Sequence, residues 1–166
     1  FSTRRAPVLE RVSAAGPEFD DLWAAAARWH RVAGVRDAAF VRWRFLEAPV
    51  PIEVWALRRG GRLRGYVAAH RSAPGGHLLV LDLLAAAPGD VDALASGILR
   101  LARSLGCGDV GTRLNPRTDY AGALRRHGFL EGHTRPAFQV LSPAPMPGLL
   151  RAAGFHLTHA DEDADD

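Results

Sequence analysis

Asp82 is the carboxylate of this sequence best placed for acid–base chemistry. It stands inside the run LLVLDLLAA, where every neighbour is apolar. Burial disfavours the charged form of a carboxylate and raises its pKa toward the range in which a general base works. A buried carboxylate also persists when a cation pairs with it, and Arg42 or Arg44 on the predicted second helix could supply one. The sequence therefore leaves a catalytic Asp82 and a structural ion pair both open.

Other side chains offer less chemistry. Glu53, at the start of the alternating segment IEVWALRR, is a second candidate base or simply a solvated carboxylate. The seven histidines form no HxH, HxxxH or HExxH pattern, so no metal site is predicted. Cys107 is the single cysteine, which excludes an internal disulfide and any multi-cysteine metal site. No GxSxG or Walker-type motif supports a hydrolase or an NTPase.

Length and composition indicate one globular domain. The chain has 166 residues, of which 48% are hydrophobic and 23% charged, as in ordinary folded proteins. No apolar run approaches the roughly 20 residues that a bilayer span needs, so no membrane span is predicted. The lone cysteine and the absence of a signal-peptide pattern favour a cytoplasmic protein.

The charge is divided between a basic body and an acidic end. Basic residues number 21 and acidic residues 18, but five of the acids lie in the last six positions. Without those five the balance is 21 against 13, or +8. We therefore predict a domain over 1–160 and an acidic tail over 161–166. A basic body suits an anionic cofactor, and no stripe of arginines and aromatics favours a nucleic-acid partner.

The candidate residues must be positioned by a series of short elements. A strand is predicted at 8–14, then a helix after Gly16-Pro17 and a second helix from Asp37 to Pro49. Paired glycines at 60–61 predict a hairpin of strands 52–59 and 63–71, and the doubly apolar run 77–86 predicts a central strand.

The second half continues the alternation. A long amphipathic helix is predicted after Pro88-Gly89, then a strand at 109–114 and a helix that Asn115-Pro116 caps and Gly128 ends. Further strands are predicted at 133–142 and 155–159. The order β-α-α-β-β-β-α-β-α-β-β is typical of a mixed α/β domain.

This order, together with several short sequence motifs, resembles the GNAT superfamily of acyltransferases. The motifs are RDAAFVRWRFLEAP, GYVAAHR, VLDLL, RRHGFLEG and HLTHADED, and they are similar to sequences in GNAT-like proteins of bacterial polysaccharide biosynthesis. The resemblance implies a mixed, twisted central sheet flanked by helices. It also implies an N-acyltransferase that moves the acyl group of acetyl-CoA, or of a related thioester, to a small-molecule amine such as an amino sugar.

The resemblance also assigns residues to the reaction. Acyl-CoA would be held by Leu84, Ala85, Ala86, Gly89 and Asn115, and no metal is implied. In the family, the usual general acid is a tyrosine four residues before the glycine of the motif that reads RRHGFLEG here. Leu124 stands at that position in this sequence. Tyr120 lies one turn earlier on the same helix face, either as that acid or as a packing residue.

In the family, the pyrophosphate of CoA binds at the turn between the fourth strand and the following helix, and one feature of that turn here does not fit active acyl transfer. Asp90 and Asp92 open the helix as caps, and their charges would repel the phosphates of CoA. The alternative is a catalytically silent GNAT-like half that supports or completes the cleft of a companion domain. Because the chain begins at Phe1 rather than at methionine, we expect a GNAT-like domain ahead of it, as in tandem proteins of this kind.

Overall fold

A five-stranded sheet forms the centre of the computed structural model, which describes residues 7–72, 76–132, 155–156 and 158–161. The strands are β1 (Glu10–Val12), β2 (Val32–Ala33), β3 (Ile52–Arg59), β4 (Arg62–Arg71), β5 (His77–Ala85), β6 (Asp109–Thr112) and β7 (Phe155–His156). The helices are α1 (Glu18–Ala26), α2 (Ala38–Val41), α3 (Pro88–Ser104) and α4 (Asp119–Arg126). A π-helical turn, Arg42–Leu46, continues α2, and a 3-10 turn spans His159–Asp161.

The sheet has the order β1-β3-β4-β5-β6. Its first three pairs are antiparallel, whereas β5 and β6 run parallel across α3. Strands β2 and β7 form a separate parallel pair. The predicted mixed α/β fold is confirmed, and so is the central position of the apolar strand at 77–86.

The hairpin of β3 and β4 turns at the predicted glycines. Gly60 and Gly61 have φ of 57° and 75°, a backbone region that side chains other than glycine rarely adopt. The register of this hairpin fixes which residues of β4 face each side of the sheet.

A bulge in β5 determines where Asp82 points. Ala68 pairs with Asp82 and Ala69 pairs with Val80, so Leu81 is an extra residue without a partner on β4. The extra residue reverses the alternation of side chains along the strand. Val80 therefore joins the apolar layer toward α3, whereas Asp82 faces the opposite layer.

Two apolar layers cover the sheet. The layer under α3 and α4 contains Val67, Leu83, Leu94 and Ile98. The layer under α1 and α2 contains aromatic and aliphatic side chains that are fully or nearly fully buried: Phe19, Leu22, Phe45, Val54, Tyr66 and Leu84. Helix α1 begins after Pro17 with three acids in its first turn, where the helix dipole favours negative charge.

Several predicted boundaries were wrong. The second helix is α-helical only over Ala38–Val41 and continues as the π-helical turn, in which Trp43 is 67% exposed. Asn115 does not cap α4, because Thr118 accepts the capping hydrogen bond from the Ala121 N–H. The first strand is shorter than expected, β2 was not predicted, and the predicted strand at 133–142 lies outside the described residues.

Among the helices in the described part of the chain, none combines the length and apolarity needed to cross a bilayer.

Candidate functional site

The sheet opens at the carboxyl end of β5. Strand β6 pairs only with His77–Val80, so the rest of β5 extends beyond its parallel neighbour. The Ala86 N–H donates to the Arg64 carbonyl of β4 (2.8 Å). Because successive N–H groups of a strand point in opposite directions, the Ala85 N–H faces the opening instead.

Tyr120 of α4 occupies this opening. Its hydroxyl accepts a hydrogen bond from the Ala85 N–H (2.9 Å), and the side chain is fully buried. Burial raises the pKa of the phenol, so Tyr120 is protonated at neutral pH. The phenol oxygen also lies 3.4 Å from Nε2 of His30. The structure thus brings together two predicted site residues, Ala85 and Tyr120.

Aromatic rings surround the phenol in what we call the ring cluster, formed by Trp29, His30, Tyr120 and His156. Ring centroids are separated by 3.9 Å for Trp29 and His30, 4.7 Å for the two histidines, and 4.6 Å for Tyr120 and His156. Nε2 of His156 lies 3.0 Å from the Leu83 carbonyl, and because a carbonyl only accepts, this nitrogen carries the proton.

Both histidines of the ring cluster are neutral at physiological pH. Burial, followed by the charge of Arg36, lowers the pKa of His156 to about 3 and that of His30 to about 4. His156 is fully buried, whereas His30 is half-buried. Sequence reasoning missed both histidines, since one follows α1 in a turn, the other lies in β7, and no local spacing relates them.

Asp82 lies at the centre of a buried polar network. Arg36 Nε is 3.1 and 3.0 Å from its two carboxylate oxygens, and the Thr158 hydroxyl donates to it at 2.7 Å. The Tyr66 hydroxyl donates to it as well. Asp82, Arg36, Thr158 and Tyr66 are all fully buried. The carboxylate is therefore bound from several sides.

These contacts correct the expectation for Asp82. Burial alone would raise its pKa, but the adjacent Arg36 cation and the hydrogen bonds hold the pKa below its usual value. The cation is Arg36 instead of the predicted Arg42 or Arg44, whose guanidinium groups lie by the carbonyls of Ala15 and Ala160. The ion-pair alternative is thus the one that the structure supports.

Arg36 also joins the core to the end of the chain. Its second terminal nitrogen lies 2.5 Å from Asp161, and its first donates to the Gly34 carbonyl at 2.9 Å. Asp161 was counted with the acidic tail, yet only 16% of its side chain is exposed. Asp161, the first residue of the segment 161–166, therefore belongs to the polar network around Arg36.

Glu53 lies away from the opening. It forms an ion pair with Arg11 of β1 (2.9 Å) and sits opposite Ala69 of β4. Ala85 sits opposite Gly65, nearer the other end of β4. The structure does not bring this candidate base to Tyr120.

The turn before α3 carries less negative charge than its two aspartates indicate, because arginines pair with Asp90. Asp90 and Asp92 do not cap the helix, because its N-cap is Ala87 and no side chain caps it. Asp90 is buried and lies 2.6 Å from Arg64 and 3.1 Å from Arg59, both on the hairpin.

The remaining predicted cofactor residues lie at the end of β5, at the start of α3 and before α4. Gly89 is exposed at the start of α3, whereas the side chains of Leu84 and Ala86 are buried in the layer toward α1. Asn115 lies in the turn before α4, where its side-chain oxygen accepts from the Arg117 N–H (3.1 Å). Within the described residues, no group of three metal-ligating side chains could hold an ion.

Comparisons with known proteins found similar structures but no matching family. No protein-family model and no curated protein matches the sequence. Two crystal structures of TTHA1254 from Thermus thermophilus are similar, the wild type at 19% identity and a single-substitution mutant at 18%. Each alignment covers 78% of this chain and 98% of the other, with a TM-score of 0.49. This likeness carries no conclusion about function.

Proposed function

We propose that this chain is a GNAT-like domain that takes part in N-acyl transfer from acetyl-CoA, or a related acyl thioester, to an amine such as an amino sugar. One observation carries the proposal. At the open end of β5, the Ala85 N–H, which has no β6 partner, meets the buried, protonated phenol of Tyr120. A backbone donor for the oxyanion and a proton donor for the leaving thiolate are two of the groups that acyl transfer from a thioester requires.

The Ala85 N–H has the chemistry of an oxyanion donor. Attack of an amine on a thioester develops negative charge on the carbonyl oxygen, and a fixed N–H directed at that oxygen stabilises it. The N–H now donates to the Tyr120 hydroxyl. An entering carbonyl would take that hydrogen bond and free the phenol for the sulfur.

Tyr120 then has the chemistry of a general acid. The thiolate that leaves the carbonyl carbon needs a proton, and a positioned acid supplies it in the transition state. The phenol keeps its proton because burial raises its pKa. Cleavage of the C–S bond would place negative charge on sulfur beside this proton.

Charge at the start of α3 supports a phosphate-bearing cofactor. Two arginines of the hairpin, Arg59 and Arg64, lie against the single carboxylate of Asp90. Asp92, the other acid of this turn, is paired with Arg126, so the local balance is positive beside the N-terminal N–H groups of a 17-residue helix. Backbone groups of Leu84, Ala85 and Ala86, with the N–H near Gly89, would hold the rest of the acyl-CoA.

A silent GNAT-like half that completes the cleft of a companion domain is the second candidate. It is favoured by the engagement of Asp82, which is held by Arg36 and cannot act as the base for the amine. In that role the hydrogen bond between Tyr120 and Ala85 would only close the sheet. The companion domain would supply the reactive groups.

Titration calorimetry with acetyl-CoA separates the two candidates. Under the acyltransferase proposal, wild type and Tyr120→Phe both bind acetyl-CoA, because the variant removes the acid and leaves the backbone donors. Release of free CoA with glucosamine as acceptor then falls by about 100-fold or more in Tyr120→Phe. His70→Gln, on the far part of β4, is the matched control. No heat with wild type at millimolar acetyl-CoA would overturn the proposal for this chain and leave the silent half.

A further inference from the structure

The contact between His30 and Tyr120 has no role in the function proposed so far. We propose that His30 is the proton-relay partner of Tyr120: its Nε2 takes up the surplus proton of the attacking amine and returns it to the phenol. This inference rests on the proposed acyl transfer and identifies the group that completes its proton transfers.

The relay requires one direction of the hydrogen bond between the two side chains. The Tyr120 oxygen accepts from the Ala85 N–H, and a phenol has a single proton to donate. His30 Nε2 lies 3.4 Å from that oxygen, and in the tautomer that carries its proton on Nδ1 it accepts the phenol proton. The separation is long for a strong hydrogen bond, but contacts of this kind shorten when the substrate complex forms.

The packing around His30 holds its ring and leaves part of it exposed. Trp29 and His156 lie against it at centroid distances of 3.9 and 4.7 Å. Tyr120 and His156 are fully buried, whereas His30 is half-buried. Of the two histidines of the ring cluster, His30 is thus the one with exposed surface, and its Nε2 lies 3.4 Å from the phenol oxygen.

The surroundings of His30 keep its ring neutral before the reaction. Arg36 is the cation that acts on it, and Tyr120 and His156 are the titratable groups against its ring. Burial and Arg36 lower its pKa to about 4, so the ring is neutral at physiological pH and one of its two nitrogens has a lone pair. Asp82 is engaged by Arg36, and Nε2 of His156 donates to the Leu83 carbonyl. Nδ1 of His156 has no hydrogen-bond partner, but it is buried and the side chain has no exposed surface.

The proton transfers balance in this scheme. The amine nitrogen forms a bond to the carbonyl carbon, and the C–S bond breaks with its electron pair moving to sulfur. Tyr120 gives its proton to the thiolate, which leaves as a thiol. His30 Nε2 accepts the proton that the amine nitrogen loses and passes it to the phenolate. His30 and Tyr120 both return to their starting states.

Nitrogen-15 NMR of the full chain tests the relay independently of activity. At pH 7 we expect Nε2 of His30 to be unprotonated in wild type and its signal to move in Tyr120→Phe. His70, which is near the Pro51 carbonyl instead, should not change. A protonated Nε2 in wild type, or a His30 signal that Tyr120→Phe leaves in place, would overturn the relay.

A kinetic arm separates failure of the relay from failure of the proposed function. With acetyl-CoA and glucosamine, His30→Gln should lower CoA release by about 100-fold while acetyl-CoA binds as tightly as before. Unchanged release in a folded His30→Gln would refute the relay and spare the acyltransferase. Failure of the wild type to bind acetyl-CoA would instead refute the proposed acyltransferase function. The relay rests on that function and would be refuted with it.

Discussion

The free energy of unfolding should fall sharply when Asp82 is replaced by asparagine. The substitution keeps the shape of the side chain and removes the charge that Arg36 faces at 3.0 Å. Both side chains have no exposed surface, so no solvent can take over the missing interaction. Breaking a buried pair from one side leaves an uncompensated charge, which costs about 3–5 kcal/mol.

That loss is large compared with the stability of an ordinary domain, about 5–15 kcal/mol. With a urea dependence of about 2 kcal/mol per molar, a loss of about 4 kcal/mol moves the unfolding midpoint down by about 2 M. Asp161 offsets part of the loss, because it stays 2.5 Å from the other side of Arg36. We therefore expect the lower half of the range.

Urea unfolding followed by circular dichroism measures this effect. Asp92→Asn is the matched control, since its ion pair with Arg126 is more than half exposed on both sides and should contribute about 0–1 kcal/mol. Arg36→Met combined with Asp82→Asn should recover part of the loss by removing the stranded cation. A folded Asp82→Asn that loses less than about 1 kcal/mol would refute the reasoning.

Three further substitutions test the packing and the charges. Gly65→Ala places a Cβ 2.7 Å from the Leu84 carbonyl and should cost about 1–3 kcal/mol in urea unfolding, whereas Gly16→Ala meets nothing within 4 Å and should cost little; equal costs would contradict the crowding. The pKa of His156, lowered to about 3, means that only the unfolded state takes up its proton below about pH 6.5, so stability should fall on acidification. His156→Gln should flatten that fall, and an unchanged slope would refute it. Asp161→Asn should destabilise less than Asp82→Asn, because Asp161 is partly exposed; the reverse order would show that the end of the chain dominates the network.

The elements that local chemistry determines were predictable. The paired glycines at 60–61 set the hairpin, and the apolar run around Asp82 could only be a buried strand. The cation beside Asp82 was not predictable in the same way. Arg36 precedes α2 in a loop, where the sequence has no periodic pattern from which burial could be predicted. Its other partner, Asp161, follows 125 residues later.

The bulge at Leu81 explains a second limit. Strict alternation would place Val80 and Asp82 on the same face of β5, but the extra residue puts them on opposite faces. A one-residue irregularity leaves no mark in an apolar sequence, although it reverses every side chain beyond it. The environment of Asp82, and hence the direction of its pKa, depended on this feature.

The same bulge separates the ion pair from the candidate chemistry. Asp82 meets Tyr66 in the layer toward α1, whereas Tyr120 packs in the layer toward α3 and reaches the strand at the Ala85 N–H. Strand β5 lies between the two, so the Asp82 charge reaches the phenol as a field across the strand, where it adds to the raised pKa of Tyr120. At urea concentrations well below its unfolding midpoint, Asp82→Asn should keep any acetyl-CoA binding that the wild type shows. Loss of binding in the folded variant would place Asp82 within the site.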